Sequence, residues 1–204
     1  MKKFISVILL GAVLALSGIA GCSSQKETGV DYSKLEVKKD AGMGLLRGYN
    51  DLAELEKLSE LIVIGTFVDD SRSEIELGYD KIMGTNIMSD MTSYNTMKIS
   101  KVIKGDVNIG DEIEISQYYV VEDGELYTFS GMTPMIKGDS WLFFLAKSNR
   151  DNATHYCHMG DFQGRYPIPD TENTVLPYAL DNGTYDPEDF RSDIYSEILE
   201  KYEF

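Results

Sequence analysis

The chain has 204 residues, 43% of them hydrophobic and 26% charged, a composition that excludes collagen-like, cysteine-stapled and intrinsically disordered chains. Lys and Arg number 19 against 34 Asp and Glu, so a formal charge of -15 disfavours nucleic-acid binding. Two Cys and two His leave few side chains for metal binding or nucleophilic catalysis.

The N-terminus has the three parts of an export signal. Positive charge comes from Met1-Lys2-Lys3, residues 4–16 are apolar, and small residues follow up to Cys22. The apolar stretch is shorter than a membrane-spanning helix requires. We therefore predict that residues 1–21 are a signal peptide.

The end of this signal is more specific. Ile19-Ala20-Gly21-Cys22 resembles the lipobox of bacterial lipoproteins, in which one apolar and two small residues precede the Cys. The resemblance implies a diacylglyceryl group on the Cys22 thiol and cleavage before Cys22. Two or more acyl chains anchor a protein stably, because each buried methylene contributes roughly 0.8 kcal/mol. The expected location is the extracytoplasmic side of the cell membrane; the alternative is an ordinary secretory signal followed by a chance Cys.

Cleavage would make the chain more acidic and leave a polar segment at its start. Residues 1–21 contain two Lys and no acid, so 17 basic residues would face 34 acidic ones, a formal charge of -17. Residues 22–48 show no sustained hydrophobic period, and we predict a flexible tether. A second interpretation is a partly ordered arm in which four apolar residues pack on the domain. These are Leu35, Val37, Leu45 and Leu46.

Residues 49–169 have the pattern of one β domain. A short helix is predicted to begin at Asn50 or Asp51, and a buried strand covers 61–68. We interpret residues 69–91 as a long excursion between two strands. Further strands are predicted over 92–103, 112–121, 126–129, 140–146, 155–159 and 162–168, with an Asp-Gly hairpin turn at 122–125.

Six or seven strands at this spacing favour a sheet that closes into a barrel or doubles into a sandwich. We predict a mainly β fold, an antiparallel OB-like barrel of about six strands with a short N-terminal helix and a C-terminal helix. Residues 170–204 form a C-terminal extension, whose helix is predicted to begin near Asp186-Pro187. Its apolar stripe is Phe190, Ile194 and Ile198.

Four segments carry a resemblance to known proteins; in chain order they are LSELIVIGTFV, MKISKVIKGDVNIGDEIEI, MIKGDSWLFFL and DFQGRYPI. They look like a family of poorly characterised exported proteins and lipoproteins common in Gram-positive bacteria. The strand order is similar to the OB-like barrel of the tissue-inhibitor-of-metalloproteinase and netrin-type modules. The resemblance spans residues 51–168 and implies a fold without a transferable catalytic role. The inhibitor modules act through a free N-terminal Cys amine, which a lipidated Cys22 on a tether would not supply.

The densest group of potential metal ligands is His155, Cys157 and His158. On a strand, His155 and Cys157 share one face and His158 points to the other, so two ligands converge where zinc usually needs three or four. We predict no metal site here, and a buried Cys157 thiol flanked by surface His side chains. A zinc site is the alternative.

Two further patterns suggest metals more weakly. Four Met residues offer thioethers to Cu(I), but their spacing fits no single element, so core packing is favoured. Two acidic groups offer oxygen ligands to calcium, but neither matches a calcium-binding loop. The Met residues are Met83, Met88, Met91 and Met97, and the acidic groups are Asp69, Asp70, Glu74 and Glu76, then Asp181, Asn182 and Asp186.

The remaining sequence favours binding over catalysis. No Gly-x-Ser-x-Gly, His-Glu-x-x-His, Walker or Rossmann motif follows residue 21. Thirteen Tyr, including Tyr118-Tyr119 and Tyr127, suggest a binding surface, although Tyr also packs in strands. We predict a lipid-anchored binding or scaffolding module without catalysis or cofactor, for a protein, peptide or glycan ligand. The alternatives are a cell-envelope hydrolase with paired carboxylates and a protease-inhibitor-like module.

Overall fold

The structure, a computed structural model, describes residues 30–39, 48–128, 133–150, 152–160, 163–171, 173 and 193–204. Residues 1–21 and Cys22 lie outside these ranges. The helices within them are α1 (Leu52–Leu58) and α2 (Asp193–Lys201), and Tyr32–Lys34 form a 3-10 turn. The strands are β1 (Glu36–Lys39), β2 (Leu61–Phe67), β3 (Arg72–Asp80), β4 (Thr85–Lys104), β5 (Glu112–Gln117), β6 (Tyr119–Glu122), β7 (Glu125–Thr128), β8 (Ser140–Lys147), β9 (Tyr156–His158) and β10 (Arg165–Pro167).

Five strands close into a barrel. They neighbour one another in the order β2, β4, β5, β9 and β8, and β8 pairs back onto β2. All of these pairs are antiparallel except β5 with β9. The fold is therefore mainly β with a closed five-stranded barrel and a helix towards each end, which confirms the predicted OB-like class.

The two most apolar strands, β2 and β8, are buried on both faces, which explains their unbroken hydrophobic runs. Alternate residues fill the barrel, where the rings of Phe67 and Phe143 meet edge to face at 5.8 Å. The intervening residues lie outside the barrel and pack beneath the helices. The interior set is Leu61, Val63, Phe67, Trp141, Phe143 and Leu145, and the outer set is Ile62, Ile64, Leu142 and Phe144.

Helix α1 begins where the sequence predicts. Asp51 is its N-cap, and the Asp51 carboxylate accepts a hydrogen bond from the Glu54 backbone N–H at 2.7 Å. Leu52 and Leu55 are buried against the outer face of the barrel. The helix therefore covers hydrophobic strand residues that would otherwise face water.

Helix α2 packs beside α1. Ile194 and Ile198 are buried in the same cluster, so the predicted stripe is confirmed at these two positions. The Tyr195 ring stacks on the Tyr166 ring at 5.6 Å, and the Tyr195 hydroxyl donates to the Pro167 carbonyl at 3.1 Å. The predicted helix start at Asp186 and the stripe residue Phe190 lie outside the described residues.

A polar contact also joins the two helices. The Glu56 carboxylate of α1 accepts hydrogen bonds from Lys201 Nζ, at 2.7 Å, and from the Tyr202 hydroxyl. Burial alone would raise the pKa of Glu56, but these two hydrogen bonds and the charges of Lys201 and Lys104 outweigh it and lower the pKa below its usual 4.5.

We expect this contact to make stability depend on pH. Because the folded pKa is lowered, the contribution of Glu56 is complete above pH 4.5 and is lost as pH falls through the folded pKa. Glu56→Gln should lower the melting temperature by about 2–4 °C at neutral pH, as expected for a loss of about 1 kcal/mol. Thermal unfolding followed by circular dichroism should show this difference closing at low pH; a difference independent of pH would contradict the assignment.

Residues 69–91, predicted as a long excursion between two strands, contain strand β3 and the first residues of β4. Strand β3 pairs antiparallel with the first half of β4 from Arg72–Tyr94 to Asp80–Thr85, which forms a two-stranded ribbon. The second half of β4 continues into the barrel, where it pairs with β2 and β5. The prediction failed because most of the β3 residues face solvent, so no buried face marks the strand in the sequence.

The segment predicted as one strand over 112–121 forms two, β5 and β6, which separate at Tyr118. Strand β6 leaves the barrel and joins a second sheet of order β1, β7 and β6. The turn between β6 and β7 is the predicted Asp-Gly hairpin, since Asp123 and Gly124 both have positive φ, 51° and 81°.

Part of the predicted tether is ordered. Strand β1 pairs in parallel with β7, and Leu35 and Val37 pack on the small sheet. The Tyr32 hydroxyl lies 3.3 Å from Ser71 Oγ. Residues 30–39 thus follow the partly ordered interpretation, whereas Leu45 and Leu46 lie outside the described residues.

Candidate functional site

A small polar pocket lies on the barrel surface, where β4, β5 and β9 meet the connection from β8 to β9. It holds about 60 Å³, enough for roughly two water molecules. The base of the ribbon formed by β3 and β4 adjoins it, since Thr92 belongs to β4. Its lining residues are Thr92, Ser116, Tyr118, Ser148, Asn149, Arg150, His155 and Cys157.

The parallel pairing of β5 with β9 forms one wall of this pocket. In this register Ser116 is opposite Cys157, and the Ser116 hydroxyl donates to Cys157 Sγ at 3.2 Å. The connection from β8 to β9 is held closed by a hydrogen bond from the Ser148 N–H to the His155 carbonyl at 3.0 Å. Strand pairing therefore fixes Ser116, Cys157 and His155 on one side of the pocket.

The surroundings of His155 favour its neutral imidazole form. Its side chain is buried, and its ring meets the Tyr94 ring edge to face at 4.9 Å. Burial lowers the pKa of His155, an effect that the Glu114 carboxylate opposes and the Arg150 charge reinforces. A neutral imidazole offers one hydrogen-bond donor and one acceptor.

Thr92 is the most informative residue of the pocket. The residue is only 4% exposed, and its hydroxyl has no hydrogen-bond partner among the described residues. Leaving a buried hydroxyl without a partner costs about 1–3 kcal/mol, so such a group calls for an explanation. Thr92 is also one of the residues that line the pocket.

Paired charges surround the pocket. Arg150 forms an ion pair with Asp90. Arg72 pairs with Glu74 and, at 3.4 Å, with Glu114, and its guanidinium lies 4.4 Å from the centre of the Tyr94 ring. Each of these carboxylates has a cationic partner, and the two arginines and three carboxylates together carry a formal charge of -1.

The potential zinc ligands are arranged as the sequence predicted. His155 and Cys157 line the same pocket, whereas His158 points elsewhere and its Nδ1 lies 3.0 Å from the Gly160 carbonyl oxygen. The described residues contain no group of three or more His, Cys, Asp or Glu side chains placed to hold a metal ion. His155 and His158 are both buried, not on the surface as predicted, and Cys157 is half-buried, not buried.

The other predicted ligand groups do not converge in the described part of the chain. Met91 and Met97 are buried, whereas Met83 is exposed at the ribbon end. The Asp69 carboxylate accepts a hydrogen bond from the Thr96 N–H at 2.7 Å, which is a structural role. The Met88 side chain and residues Asp181, Asn182 and Asp186 lie outside the description.

The three tyrosines predicted to share one surface have three different surroundings. Tyr118 lines the pocket, where burial raises the pKa of its hydroxyl. Tyr119 is fully buried and packs on Tyr32 at 6.3 Å, and the Tyr127 hydroxyl donates to Glu125 at 2.6 Å. Tyr118 alone of the predicted trio therefore belongs to the candidate site.

A second polar pocket, of about 220 Å³, contains the Glu60 and Asp106 carboxylates together with Lys147 and Tyr156. The paired-carboxylate alternative could use it, or a pocket of about 370 Å³ beside the helices that is lined by Glu197 and Glu200. The smaller pocket has no carboxylate among its described lining residues and has the unpartnered Thr92 hydroxyl. We therefore take the smaller pocket as the better candidate.

Sequence reasoning found His155, Cys157 and Tyr118 but missed Thr92, Ser116 and Arg150. The signal for Thr92 was available: a run of buried polar residues, Thr92-Ser93-Tyr94-Asn95, occupies the middle of β4. Buried polar side chains in a strand require partners and so indicate structural or binding roles. The Ser93 hydroxyl donates to the Tyr119 carbonyl and Asn95 Oδ1 accepts from Gln117 Nε2, whereas Asn95 Nδ2, like the Thr92 hydroxyl, has no partner among the described residues.

Comparisons with known proteins identify no family for this chain. No protein-family model matches the chain, and no curated protein matches it. None of the described helices has the length and hydrophobicity needed to span a membrane.

Proposed function

We propose that the protein is a lipid-anchored, extracytoplasmic binding module that holds a neutral polar ligand, a glycan, at the pocket of Thr92 and His155. The observation that carries this proposal is Thr92, which lines that pocket and whose buried hydroxyl has no hydrogen-bond partner among the described residues. The position of the pocket on the barrel also supports the proposal. OB-fold proteins bind oligosaccharides and oligonucleotides across their second and third barrel strands and the adjoining loops, here β4, β5 and the connection from β8 to β9.

The chemistry of the pocket favours a neutral ligand. Hydroxyl, amide, imidazole and thiol groups line it together with the Arg150 guanidinium, whose charge is paired with Asp90. Such hydrogen-bonding groups recognise the hydroxyl and acetamido groups of sugars. A basic peptide is less favoured, because Asp90, Glu74 and Glu114 are already paired with arginines. The strongly acidic chain disfavours oligonucleotides.

The size of the pocket suggests how such a ligand would lie. About 60 Å³ admits one substituent of a sugar and not a whole ring. The remainder of the ligand would cross the surface beside the pocket, near the stacked Arg72 and Tyr94 side chains. Extended ligands bound across one barrel face are common for this architecture.

The anchor belongs to the same proposal and rests on Ile19-Ala20-Gly21-Cys22. Acyl chains on Cys22 would hold the barrel beside the membrane, where envelope glycans are accessible. The acidic surface would not itself bind anionic lipid headgroups.

The glycan proposal is tested by titrating the purified mature protein with the tetramer of N-acetylglucosamine and with tetralysine, followed by NMR or calorimetry. We expect the saccharide to bind and Thr92→Val to weaken its binding by about tenfold, the scale of one neutral hydrogen bond. Val has nearly the shape of Thr, and the substitution removes no hydrogen bond of the Thr92 hydroxyl within the described structure.

Thr96→Val is the matched control, because Thr96 lies on the same strand and outside the pocket. It should bind the saccharide as the wild-type protein does. Binding of tetralysine without the saccharide, or equal affinities for wild type and Thr92→Val, would overturn the ligand assignment. Absence of saccharide binding at millimolar concentration would do the same.

A further inference from the structure

The ribbon formed by β3 and β4 ends in an exposed apolar tip, Leu77–Met88. Ile82 is 98% exposed, and Leu77, Tyr79 and Met83 are each between 63% and 66% exposed. Monomeric soluble proteins rarely expose clustered large hydrophobic side chains unless they contact a partner or a membrane. Neither the barrel core nor the proposed pocket uses these four residues.

The end of the tip has a defined backbone geometry. Asp80 Oδ1 accepts hydrogen bonds from the Ile82 N–H at 2.7 Å and from the Met83 N–H at 3.0 Å. The Gly84 N–H donates to the Asp80 carbonyl at 2.8 Å, and Gly84 has the positive φ, 69°, that this turn requires. The turn therefore presents Ile82 and Met83 outward.

The tip is also electrically neutral. Leu77–Met88 contains one acid, Asp80, and one base, Lys81, so its formal charge is zero. The chain from Cys22 onward carries 17 basic and 34 acidic residues, a formal charge of -17. Among acidic surroundings, the tip can approach lipid headgroups without electrostatic repulsion.

The connection to Cys22 begins beside the ribbon base. The Tyr32 hydroxyl lies 3.3 Å from Ser71 Oγ, and Ser71 directly precedes β3. From Cys22 to Val30 is eight residue steps, which span at most about 29 Å. From Arg72 to Asp80 is also eight steps, about 26 Å along a strand. The N-terminal connection and the ribbon therefore begin close to each other, and the extended lengths of the two segments are similar.

From these observations we propose that the apolar tip docks into the interfacial region of the membrane that carries the Cys22 anchor. The inference rests on the proposed anchor and adds a second, reversible contact through Ile82 and its three apolar neighbours. Two contacts fix an orientation that a single tether does not. The pocket, at the base of the ribbon, would then lie about 26 Å from the lipid surface.

The test uses the lipidated protein in phosphatidylcholine vesicles that contain brominated lipid, which quenches tryptophan fluorescence. Ile82→Trp should be quenched strongly. Ile109→Trp is the matched control, because Ile109 is also an exposed turn residue, 70% exposed, at the opposite end of β4, and it should not be quenched. The natural Trp141 is 5% exposed inside the barrel and should contribute little change.

A second measurement separates the tip from the anchor. The mature chain with Cys22→Ser carries no acyl chain, so its partitioning into phosphatidylcholine vesicles reports the tip alone. Ile82→Asp in this background should lower the partition coefficient by about tenfold or more, the scale of one Ile side chain losing its burial. Ile109→Asp should leave it unchanged.

The outcomes distinguish the two proposals. Partitioning that depends on Ile82, together with a native protein whose Cys22 carries no acyl chain, would support the tip and overturn the anchor. An acylated protein in which Ile82→Trp is quenched no more than Ile109→Trp would overturn the tip alone. An emission shift of Ile82→Trp that depends on protein concentration without vesicles would also overturn it, because the tip would then bind a second copy of the chain.

Discussion

Gly164→Ala should destabilise the fold by about 3 kcal/mol, the upper part of the range for overpacked sites. A Cβ at residue 164 would lie 2.5 Å from the Met159 nitrogen and 2.8 Å from its carbonyl carbon, and closer still to its carbonyl oxygen. These atoms cannot move aside easily, because the Met159 N–H donates to the Phe144 carbonyl at 2.9 Å and the Phe144 N–H donates to the Gly164 carbonyl at 2.9 Å.

Urea unfolding of the two glycine variants measures this effect. Gly48→Ala is the matched control, since its Cβ would lie 3.7 Å from Gln163 Oε1, an ordinary contact. We expect Gly48→Ala to change the free energy of unfolding by no more than about 0.5 kcal/mol. Equal midpoints for Gly164→Ala and Gly48→Ala would show that residues 159 and 164 are not packed as described.

Cys22→Ala should move the protein from the membrane to the soluble fraction almost completely. Acyl chains supply the stable part of the attachment, whereas an apolar tip alone gives reversible binding. Cell fractionation followed by immunoblotting measures the distribution, with chains that retain the signal peptide excluded by their larger mass.

Cys157→Ala is the control for this experiment, because it removes the other Cys of the chain. The Cys157 thiol is half-buried beside Ser116, and the sequence predicts no acylation at this position. This variant should stay in the membrane fraction. Retention of processed Cys22→Ala in the membrane fraction would contradict the lipid tether.

The barrel could be predicted because its core strands have an unusual pattern. Strand β8 is apolar at consecutive positions, which requires cover on both faces, and the capped helix α1 was visible in Asp51 and Leu52. The ribbon could not be predicted with the same rules. Ile75, Leu77 and Tyr79 do alternate with Glu74 and Glu76, but the ribbon has no core beneath it to make that alternation decisive.

Pairing between strands far apart in the sequence was the other feature that could not be predicted. Strand β1 joins β7 about 90 residues later, and Glu36 pairs with Glu125, a register that no local pattern encodes. The pocket depends on the same kind of contact, because Ser116 and Cys157 meet only through the parallel pairing of β5 with β9. Sequence reasoning therefore found His155 and Cys157 as neighbours but could not place them beside Ser116.

The tyrosines illustrate how adjacent residues acquire different roles. Tyr118 and Tyr119 are consecutive, yet the chain leaves the barrel between β5 and β6 at this point. One ring enters the pocket and the other is buried against Tyr32. Composition alone suggested a shared aromatic surface, and the break between the strands is the reason that it does not form.

The most direct test of the account is mass spectrometry of the N-terminal peptide from protein isolated out of its native membrane. We predict that the mature chain begins at Cys22 and that its sulfur carries a diacylglyceryl group. A mature chain that begins elsewhere, or a Cys22 with an unmodified thiol, would contradict the anchored binding module proposed here.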